Sequence, residues 1–244
     1  MVSPLPGLQN YTALDFLTAS EGEGPRFPAR GSPIFAPSSS AGTTTGALHP
    51  VTDRFEQALV HAARLHRGQR RKGAGVPYIS HLLAVASLVL QHGGDEEEAI
   101  AALLHDAIED IGGEDVRRGI RECFGERVLE IVEGCTDSEE TPKPPWRERK
   151  QAFIDRLPRA TASVRLVSAA DKLHNAGTVL EDYRQAGEAL WERFRGGRRG
   201  TLWYYRAVTD ALREAESSPL VEELNRVVTE LERMTGAFAP PSHS

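Results

Sequence analysis

The feature that most restricts the fold of this chain is a series of helical segments that begins near residue 51. Apolar residues recur at helical spacing in these segments, for example at Phe55 and Leu59. Thr52 or Asp53 can cap the first helix, and Asp95 can cap a helix that continues to residue 111. Glycine pairs and prolines separate the segments, and no alternation of apolar and polar residues bounded by hairpin turns interrupts them. The sequence therefore predicts an all-α fold, a single domain of roughly eight to ten helices.

The two ends of the chain differ from this helical part. Residues 1–50 are rich in Ser, Pro, Gly and Thr and have no helical or strand period, so they offer little apolar surface to offset the entropy of ordering. We predict a disordered tail there, one domain over residues 51–235, and a second disordered tail over residues 236–244. The full length of 244 residues is sufficient for one domain with a sizeable core.

Composition and charge argue against several classes of protein. The net charge of −6 disfavours nucleic-acid binding, which normally needs a basic face. No apolar stretch is long enough to span a bilayer, so no membrane partner is expected. The two cysteines, Cys123 and Cys135, do not make a disulfide framework or a cysteine-rich zinc site, and this predicts a reducing, cytoplasmic setting.

Four side chains of metal-ligand type lie in three different helical segments: His81, the adjacent pair His105 and Asp106, and Asp171. Imidazole nitrogens suit transition metals and carboxylates suit Mg²⁺ and Mn²⁺, so the set predicts one divalent ion per chain. The His–Asp pair follows an apolar run, where ionisable groups are costly to bury unless they pair or bind metal. A bound metal lowers the pKa of its water and neutralises phosphate oxygens, which predicts a metal-dependent phosphohydrolase.

Two further carboxylates, Glu109 and Asp110, follow His105 and Asp106 by one helical turn. Helical spacing places these four side chains along one side of the segment, where a bound cation relieves their mutual repulsion. A solvated acidic face at the end of an amphipathic helix is the alternative interpretation of Glu109 and Asp110.

Polar residues also continue the helical face that begins with Asp171. Asn175 and Thr178 follow it at i+4 and i+7, a pattern that suits metal ligation followed by polar contacts to a ligand. His174, at i+3, is expected to support the site rather than bind the metal. Among the aromatic residues 203–205, Tyr204 is predicted to stack on a base or to pack in the core.

Longer strings around these residues resemble a known family. They are RRKGAGVPYISHLLAVA, LLHDAIED, VLEIVEGCTD, ERKQAFIDRL and SAADKLHNAGTVL. Together they are similar to the HD-type hydrolase domain of RelA/SpoT-type proteins, especially the single-domain small alarmone hydrolases, over residues 52–215. The resemblance implies an HD-domain helical bundle that removes the 3′-pyrophosphate of (p)ppGpp, giving GDP or GTP and pyrophosphate, usually with Mn²⁺.

The resemblance also implies roles for individual residues. The four candidate ligands match metal-binding positions, and Glu109 and Asp110 match the carboxylates that position and deprotonate the attacking water. Arg71 and Lys72 match a basic loop near the nucleotide. Asn175 and Thr178 match residues that line the nucleotide pocket.

Some positions depart from the family pattern. Ser168-Ala169 stand where Lys-Leu is common, and Gly177 stands where Arg is frequent. These departures leave open the adenine alarmone (p)ppApp or another 3′-phosphorylated nucleotide as substrate. The arginines of residues 193–199 either replace lost phosphate contacts or form a solvated loop.

Other activities and partners also stay open at this stage. An HD-type 5′-nucleotidase and a non-catalytic nucleotide-sensing module are the alternative functions. The expected partner is a small nucleotide. A cognate alarmone synthetase, to which the chain would be the antidote, and a second copy of the chain are the candidate protein partners.

Overall fold

The computed structural model describes residues 51–71, 75–138 and 142–236, and these residues form ten α-helices. The helices are α1 (Asp53–Leu65), α2 (Ile79–Gln91), α3 (Glu96–Leu104), α4 (Ala107–Asp110), α5 (Glu114–Phe124), α6 (Glu126–Cys135), α7 (Trp146–Arg156), α8 (Ala162–Ala186), α9 (Gly197–Ala215) and α10 (Pro219–Met234). Two 3₁₀ segments, Leu157–Arg159 and Gly187–Arg193, connect helices. No β-strand occurs in this part of the chain, apart from one isolated bridge. The all-α prediction is confirmed.

Several predictions fall outside the described residues. The tail predicted over residues 1–50 and nearly all of the tail predicted over residues 236–244 lie there, and so does Lys72. Within the described ranges, none of the helices combines the length and apolar character that crossing a bilayer would need.

Side-chain caps explain why the helices start where they do. Thr52 Oγ1 accepts a hydrogen bond from the backbone nitrogen of Arg54 at 3.2 Å, which caps α1. Asp95 and Glu98 form a reciprocal capping box at the start of α3, with distances of 3.0 and 2.8 Å. Such caps satisfy backbone N–H groups that have no partner within the helix. The caps predicted for these two helices are therefore present.

Helices α3 and α8 form the centre of the bundle. α8 contacts α2, α3, α6, α9 and α10, and α3 contacts α1, α2, α6 and α8. Residues 99–104 of α3 are completely buried, on every side of the helix. Burying a large aliphatic side chain contributes about 1.5–3 kcal/mol, so this run fixes α3 firmly in the core. The burial of this run therefore also fixes the position of His105 and Asp106, which directly follow Leu104, relative to the core.

The segment after α3 differs from the sequence prediction. We expected one continuous helix through residues 95–111, but α3 ends at Leu104 and α4 begins at Ala107. Asp106 adopts φ −96° and ψ −3°, away from regular helix geometry. At this break, His105 lies close to Asp171 of α8 and Asp106 lies close to His81 of α2.

Candidate active site

Three separate parts of the bundle bring the four predicted metal ligands together. His81 lies in the first turn of α2, His105 and Asp106 lie at the junction of α3 and α4, and Asp171 lies within α8. His81, His105 and Asp171 are 1%, 3% and 7% exposed. Burying ionisable groups together is unfavourable unless a counter-charge joins them. We refer to these four residues as the metal cluster.

The ligand atoms of the metal cluster face one another. Those of His81, His105 and Asp106 all lie within 4.8 Å of each other. Asp106 Oδ2 is 3.1 Å from His105 Nε2 and 3.7 Å from His81 Nε2. Asp171 Oδ1 is 3.2 Å from His81 Nε2 and 3.7 Å from His105 Nε2. The fold thus assembles two nitrogens and two oxygens around one centre, while their role as ligands stays a prediction.

His105 indicates what that centre attracts. Its Nδ1 lies 2.8 Å from the carbonyl oxygen of Ala102, which can only accept, so Nδ1 donates. In the neutral ring, Nε2 then carries a lone pair. This buried Nε2 has no hydrogen-bond partner among the described residues, although the Asp106 oxygen at 3.1 Å is close without meeting hydrogen-bond geometry. Two electron-pair donors that face each other in this way fit a shared cation.

His174 orients the ring of His81. The Nδ1 atoms of these two residues are 2.8 Å apart, so one of them donates to the other. Burial, followed by the charges of His81 and Arg71, lowers the pKa of His174 to about 4. A neutral His174 can accept the proton of His81 Nδ1, which leaves His81 Nε2 with its lone pair toward the centre. This placement agrees with the expected supporting role of His174.

The electrostatics of the metal cluster favour a positive charge at its centre. Burial alone would raise the pKa of Asp171, but the Lys172 ammonium and the imidazoles hold this pKa well below its ordinary value. Burial alone would lower the pKa of His105, but the carboxylates of Asp106 and Asp171 hold it well above its ordinary value. The carboxylates therefore stay ionised, and without a metal a proton on His105 supplies the positive charge that they favour. A divalent cation would take the place of this proton and leave His105 Nε2 with its lone pair.

Glu109 lies on α4 beside the metal cluster. Its Oε1 is 3.7 Å from the Lys143 Nζ, and 26% of its side chain is exposed. Burial and then the negative charge of Asp137 raise the pKa of Glu109 above its ordinary value. A carboxylate with a raised pKa is a stronger base than an ordinary glutamate, which suits proton acceptance near neutral pH.

Asp110 lies at the outer edge of the same short helix. Its Oδ2 accepts a hydrogen bond from Gln69 Nε2 at 2.6 Å. Partial burial raises the pKa of Asp110 and the nearby Asp106 carboxylate adds to this, whereas the Gln69 hydrogen bond opposes it. Asp110 is more exposed than Glu109 and is therefore better placed to contact an entering ligand.

Arg71 connects to the metal cluster through a chain of hydrogen bonds. Its Nη2 donates to Asn175 Oδ1 at 2.9 Å, and Asn175 Nδ2 donates to Asp171 Oδ1 at 2.5 Å. The Arg71 backbone nitrogen donates to the Val76 carbonyl at 2.8 Å, next to the isolated antiparallel bridge between Arg70 and Pro77. The structure thus brings Arg71 and Asn175 to the metal cluster, while their contacts with the nucleotide stay a prediction.

The other residues predicted to contact the substrate make their contacts outside the metal cluster. Thr178 Oγ1 donates to the His174 carbonyl within α8 at 2.9 Å. Tyr204 is 7% exposed, and its hydroxyl has no hydrogen-bond partner among the described residues. Arg193 lies 3.5 Å from Asp182.

Sequence reasoning missed two residues that contact the metal cluster. Tyr78 Oη donates to Asp106 Oδ2 at 2.5 Å, and Lys172 Nζ contacts Asp171 Oδ2. Tyr78 precedes His81 by three residues, a spacing that could have indicated a shared face. Lys172 gave no such signal, because adjacent residues on a helix do not normally share a face.

Comparison with known proteins places this arrangement in a family. A family model described as "HD domain" matches residues 58–202. The chain is 35% identical over 142 residues to human guanosine-3′,5′-bis(diphosphate) 3′-pyrophosphohydrolase MESH1, a match that covers 57% of this chain and 74% of the human protein. It is 34% identical over 132 residues to the bifunctional (p)ppGpp synthase/hydrolase SpoT of Escherichia coli, covering 52% of this chain and 18% of that longer protein.

Solved structures show the same relationship at the level of the fold. One is described as "A metazoan ortholog of SpoT hydrolyzes ppGpp and plays a role in starvation responses". It superposes with a TM-score of 0.63 and 28% identity, over 76% of this chain and 98% of that chain. A second, lmo0812 from Listeria monocytogenes, superposes with a TM-score of 0.57 and 28% identity, over 63% of this chain and 99% of that chain.

Proposed function

The chain belongs to the HD-domain family, and we propose from this premise that it is a pyrophosphohydrolase that removes the 3′-pyrophosphate of (p)ppGpp. The products are GDP or GTP and inorganic pyrophosphate. The observation that carries the proposal is the buried metal cluster, with Glu109 and Asp110 one helical turn beyond it and Arg71 linked to it by hydrogen bonds.

We assign one divalent ion to the metal cluster, held by His81, His105, Asp106 and Asp171. The unpartnered Nε2 of His105 and the ionised carboxylates support this fit. Mixed nitrogen and oxygen donors without a thiolate favour Mn²⁺ over a closed structural Zn²⁺ site. When bound, such an ion lowers the pKa of water and neutralises phosphate oxygens.

Glu109 and Asp110 handle the protons of the reaction. The oxygen of the attacking water bonds to the phosphorus next to the ribose, and the bond between that phosphorus and the ribose 3′-oxygen breaks. Glu109, whose pKa is raised, is our first choice to accept the proton of the water. Asp110, at the more exposed edge, orients the water or donates a proton to the departing 3′-oxygen.

Arg71 holds the nucleotide. A guanidinium that binds a phosphate oxygen makes a charge-assisted hydrogen bond, which is stronger than a neutral one. Asn175 fixes Arg71 relative to Asp171, so the nucleotide is positioned with respect to the metal cluster. Lys72 and Thr178 keep their predicted roles as further substrate contacts.

The cellular setting follows from weaker observations. Cys123 and Cys135 are unpaired thiols, which is consistent with a reducing cytoplasm. Hydrolysis of an alarmone would let the chain act as the antidote to a synthetase encoded nearby, which co-expression with that synthetase would test. Size-exclusion chromatography with light scattering would decide whether two copies associate.

The function is tested by a release assay with Mn²⁺ across ppGpp, pppGpp, ppApp and ordinary nucleotides. We expect pyrophosphate release from the guanine alarmones. Release from ppApp alone would move the assignment to the adenine alarmone. Orthophosphate release from 5′-monophosphates would indicate a nucleotidase, and binding of nucleotide without release would indicate a sensing module.

A further inference from the structure

The hydroxyl of Tyr204 is a buried donor without an internal partner. Tyr204 lies on α9 with 7% of its surface exposed, and no described residue forms a hydrogen bond with its Oη. A buried hydroxyl that lacks a partner is unfavourable, and native proteins retain such groups rarely. A ligand that accepts a hydrogen bond from this hydroxyl would explain why the protein retains the hydroxyl.

Two ammonium groups lie next to the same ring. Lys150 Nζ is 5.0 Å and Lys172 Nζ is 5.8 Å from the centroid of the Tyr204 ring. Their side chains are only 18% and 13% exposed. Each ammonium has three N–H donors, of which the ion pair with a carboxylate needs only one. Two cations beside a ring whose hydroxyl donor has no partner among the described residues suit a phosphate group.

These three residues adjoin the proposed reaction centre. Lys172 contacts Asp171 Oδ2, whereas the other oxygen of Asp171 accepts from Asn175, which holds Arg71. Lys150 lies close enough to Glu109 for its charge to act on that carboxylate. Basic groups therefore flank Asp171 on both of its oxygens, with Arg71 connected to one and Lys172 to the other.

The surroundings of Tyr204 favour its hydroxyl over its ring as the contacting group. The ring centroids of Trp146, Trp203 and Tyr205 lie 6.2, 6.4 and 5.9 Å away. Together with the lysine ammonium groups, they leave the ring largely enclosed. A nucleobase would need an open ring face, and the neighbouring rings and ammonium groups occupy the surroundings of this ring. The buried hydroxyl, which no described residue satisfies, is the group left to contact a ligand.

We propose that the Tyr204 hydroxyl and the ammonium groups of Lys150 and Lys172 bind the distal phosphate of the 3′-pyrophosphoryl group. This inference rests on the proposed function and assigns the part of the site that recognises the second phosphate. A nucleotide with a single 3′-phosphate has no second phosphate to bind these groups while its first phosphate occupies the reaction centre. The three residues therefore select a 3′-diphosphate and retain pyrophosphate as the product.

Tyr204→Phe tests the proposal, because it removes only the hydroxyl. Isothermal titration of the Mn²⁺-loaded protein with inorganic pyrophosphate should give a Kd about tenfold higher or more, since a hydrogen bond to a charged group is lost. The melting temperature without pyrophosphate should stay unchanged or rise, since the hydroxyl has no internal partner. Tyr183→Phe is the matched control: its hydroxyl bonds to Glu188 at 2.8 Å on an exposed surface, so its pyrophosphate Kd should equal that of the wild type.

A second pair of variants separates charge from structure. Lys150→Met and Asp137→Asn both break the ion pair between these two residues, which joins Nζ to Oδ2 at 2.7 Å. Only the lysine variant removes the cation. We expect Lys150→Met to weaken pyrophosphate binding by tenfold or more, and Asp137→Asn to leave it unchanged or tighter.

Three results would overturn the inference. One is a wild-type pyrophosphate Kd in Tyr204→Phe. Another is a Kd that rises in Tyr204→Phe only together with a lower melting temperature. The third is equal loss of binding in Lys150→Met and Asp137→Asn. If ppGpp hydrolysis by the wild type persists, the proposed function survives each of these results, whereas absence of that hydrolysis would refute the function itself.

Discussion

The metal cluster and the ion pair between Asp137 and Arg149 both bury charge, but only in the ion pair does one arginine satisfy both oxygens of the carboxylate. Arg149 Nη1 donates to both carboxylate oxygens of Asp137, at 2.7 and 2.6 Å. The two side chains are 8% and 4% exposed. In the metal cluster, by contrast, His105 Nε2 is buried, faces carboxylate oxygens and has no hydrogen-bond partner among the residues that the structure describes.

The difference shows how buried charge can be interpreted. Where cation and anion satisfy each other, removal of one partner should cost stability and leave metal binding intact. Where imidazole nitrogens and carboxylate oxygens face one point, the arrangement suits a bound cation. Substitutions in the metal cluster should therefore change metal content, and those in the ion pair should change the free energy of unfolding.

The largest effect is expected from Asp106→Ala. Removing this carboxylate takes away one ligand and the contact with Tyr78, so bound metal and pyrophosphate release should both be abolished. Metal analysis and a release assay at saturating Mn²⁺ measure this. Full metal occupancy in the variant would show that the metal cluster is misassigned.

Glu109→Gln and Asp110→Asn should keep the metal and lose turnover. Each should lower kcat by roughly 10²–10⁴-fold, the usual contribution of general acid–base assistance. Because the two carboxylates can act as a unit, the double variant should lose less than the product of the single losses. Metal content serves as the control, and near-wild-type kcat in both single variants would favour a sensing module instead.

Asp137→Asn should affect stability and spare the metal. It leaves the buried Arg149 without its carboxylate, which should lower the free energy of unfolding by about 3–5 kcal/mol. Asp115→Asn is the matched control, since its pair with Arg118 is exposed and should contribute at most about 1 kcal/mol. Denaturant titration measures both changes in the free energy of unfolding. Loss of bound metal in Asp137→Asn would contradict the proposed difference between the ion pair and the metal cluster.

The same residue gives a pH dependence with a defined sign. Burial would raise the pKa of Asp137, but Lys150 and Arg149 outweigh it and lower this pKa. The stability that this carboxylate contributes is therefore present above its unfolded pKa, about 3.9, and is lost as pH falls through the lower folded value. Asp137→Asn should remove this part of the acid dependence of the unfolding free energy.

Arg71→Ala should produce the smallest of these losses. We expect kcat/KM to fall about tenfold or more with unchanged metal content, since one charge-assisted contact contributes about 1.5–3 kcal/mol. Steady-state kinetics with metal analysis measures this. If the kinetics of Arg71→Ala are unchanged, the phosphate contact would instead be assigned to the arginines of residues 193–199.

The sequence predicted the helices because their signals are local. Apolar spacing and the caps at Thr52 and Asp95 depend on residues within one or two turns, and the structure has the same helix starts. The break between α3 and α4 was missed, because it accompanies contacts with distant helices rather than a glycine or proline.

For the candidate site, too, the sequence predicted residue types but not the contacts that depend on tertiary packing. His81, His105, Asp106 and Asp171 could be selected by residue type and by their resemblance to a family. The sequence did not indicate that Lys172 would contact Asp171, or that Tyr204 would have an unpartnered hydroxyl. Both properties arise from how α7, α8 and α9 pack, and tertiary packing leaves no local pattern in the sequence.

Identification of the products that the wild-type protein forms from ppGpp with Mn²⁺ tests the central claim most directly. Ion-exchange chromatography separates GDP, inorganic pyrophosphate and orthophosphate. We predict GDP and pyrophosphate in equal amounts, with both absent when a chelator removes the metal. Orthophosphate in place of pyrophosphate, or intact ppGpp after prolonged incubation with metal-loaded protein, would contradict the account.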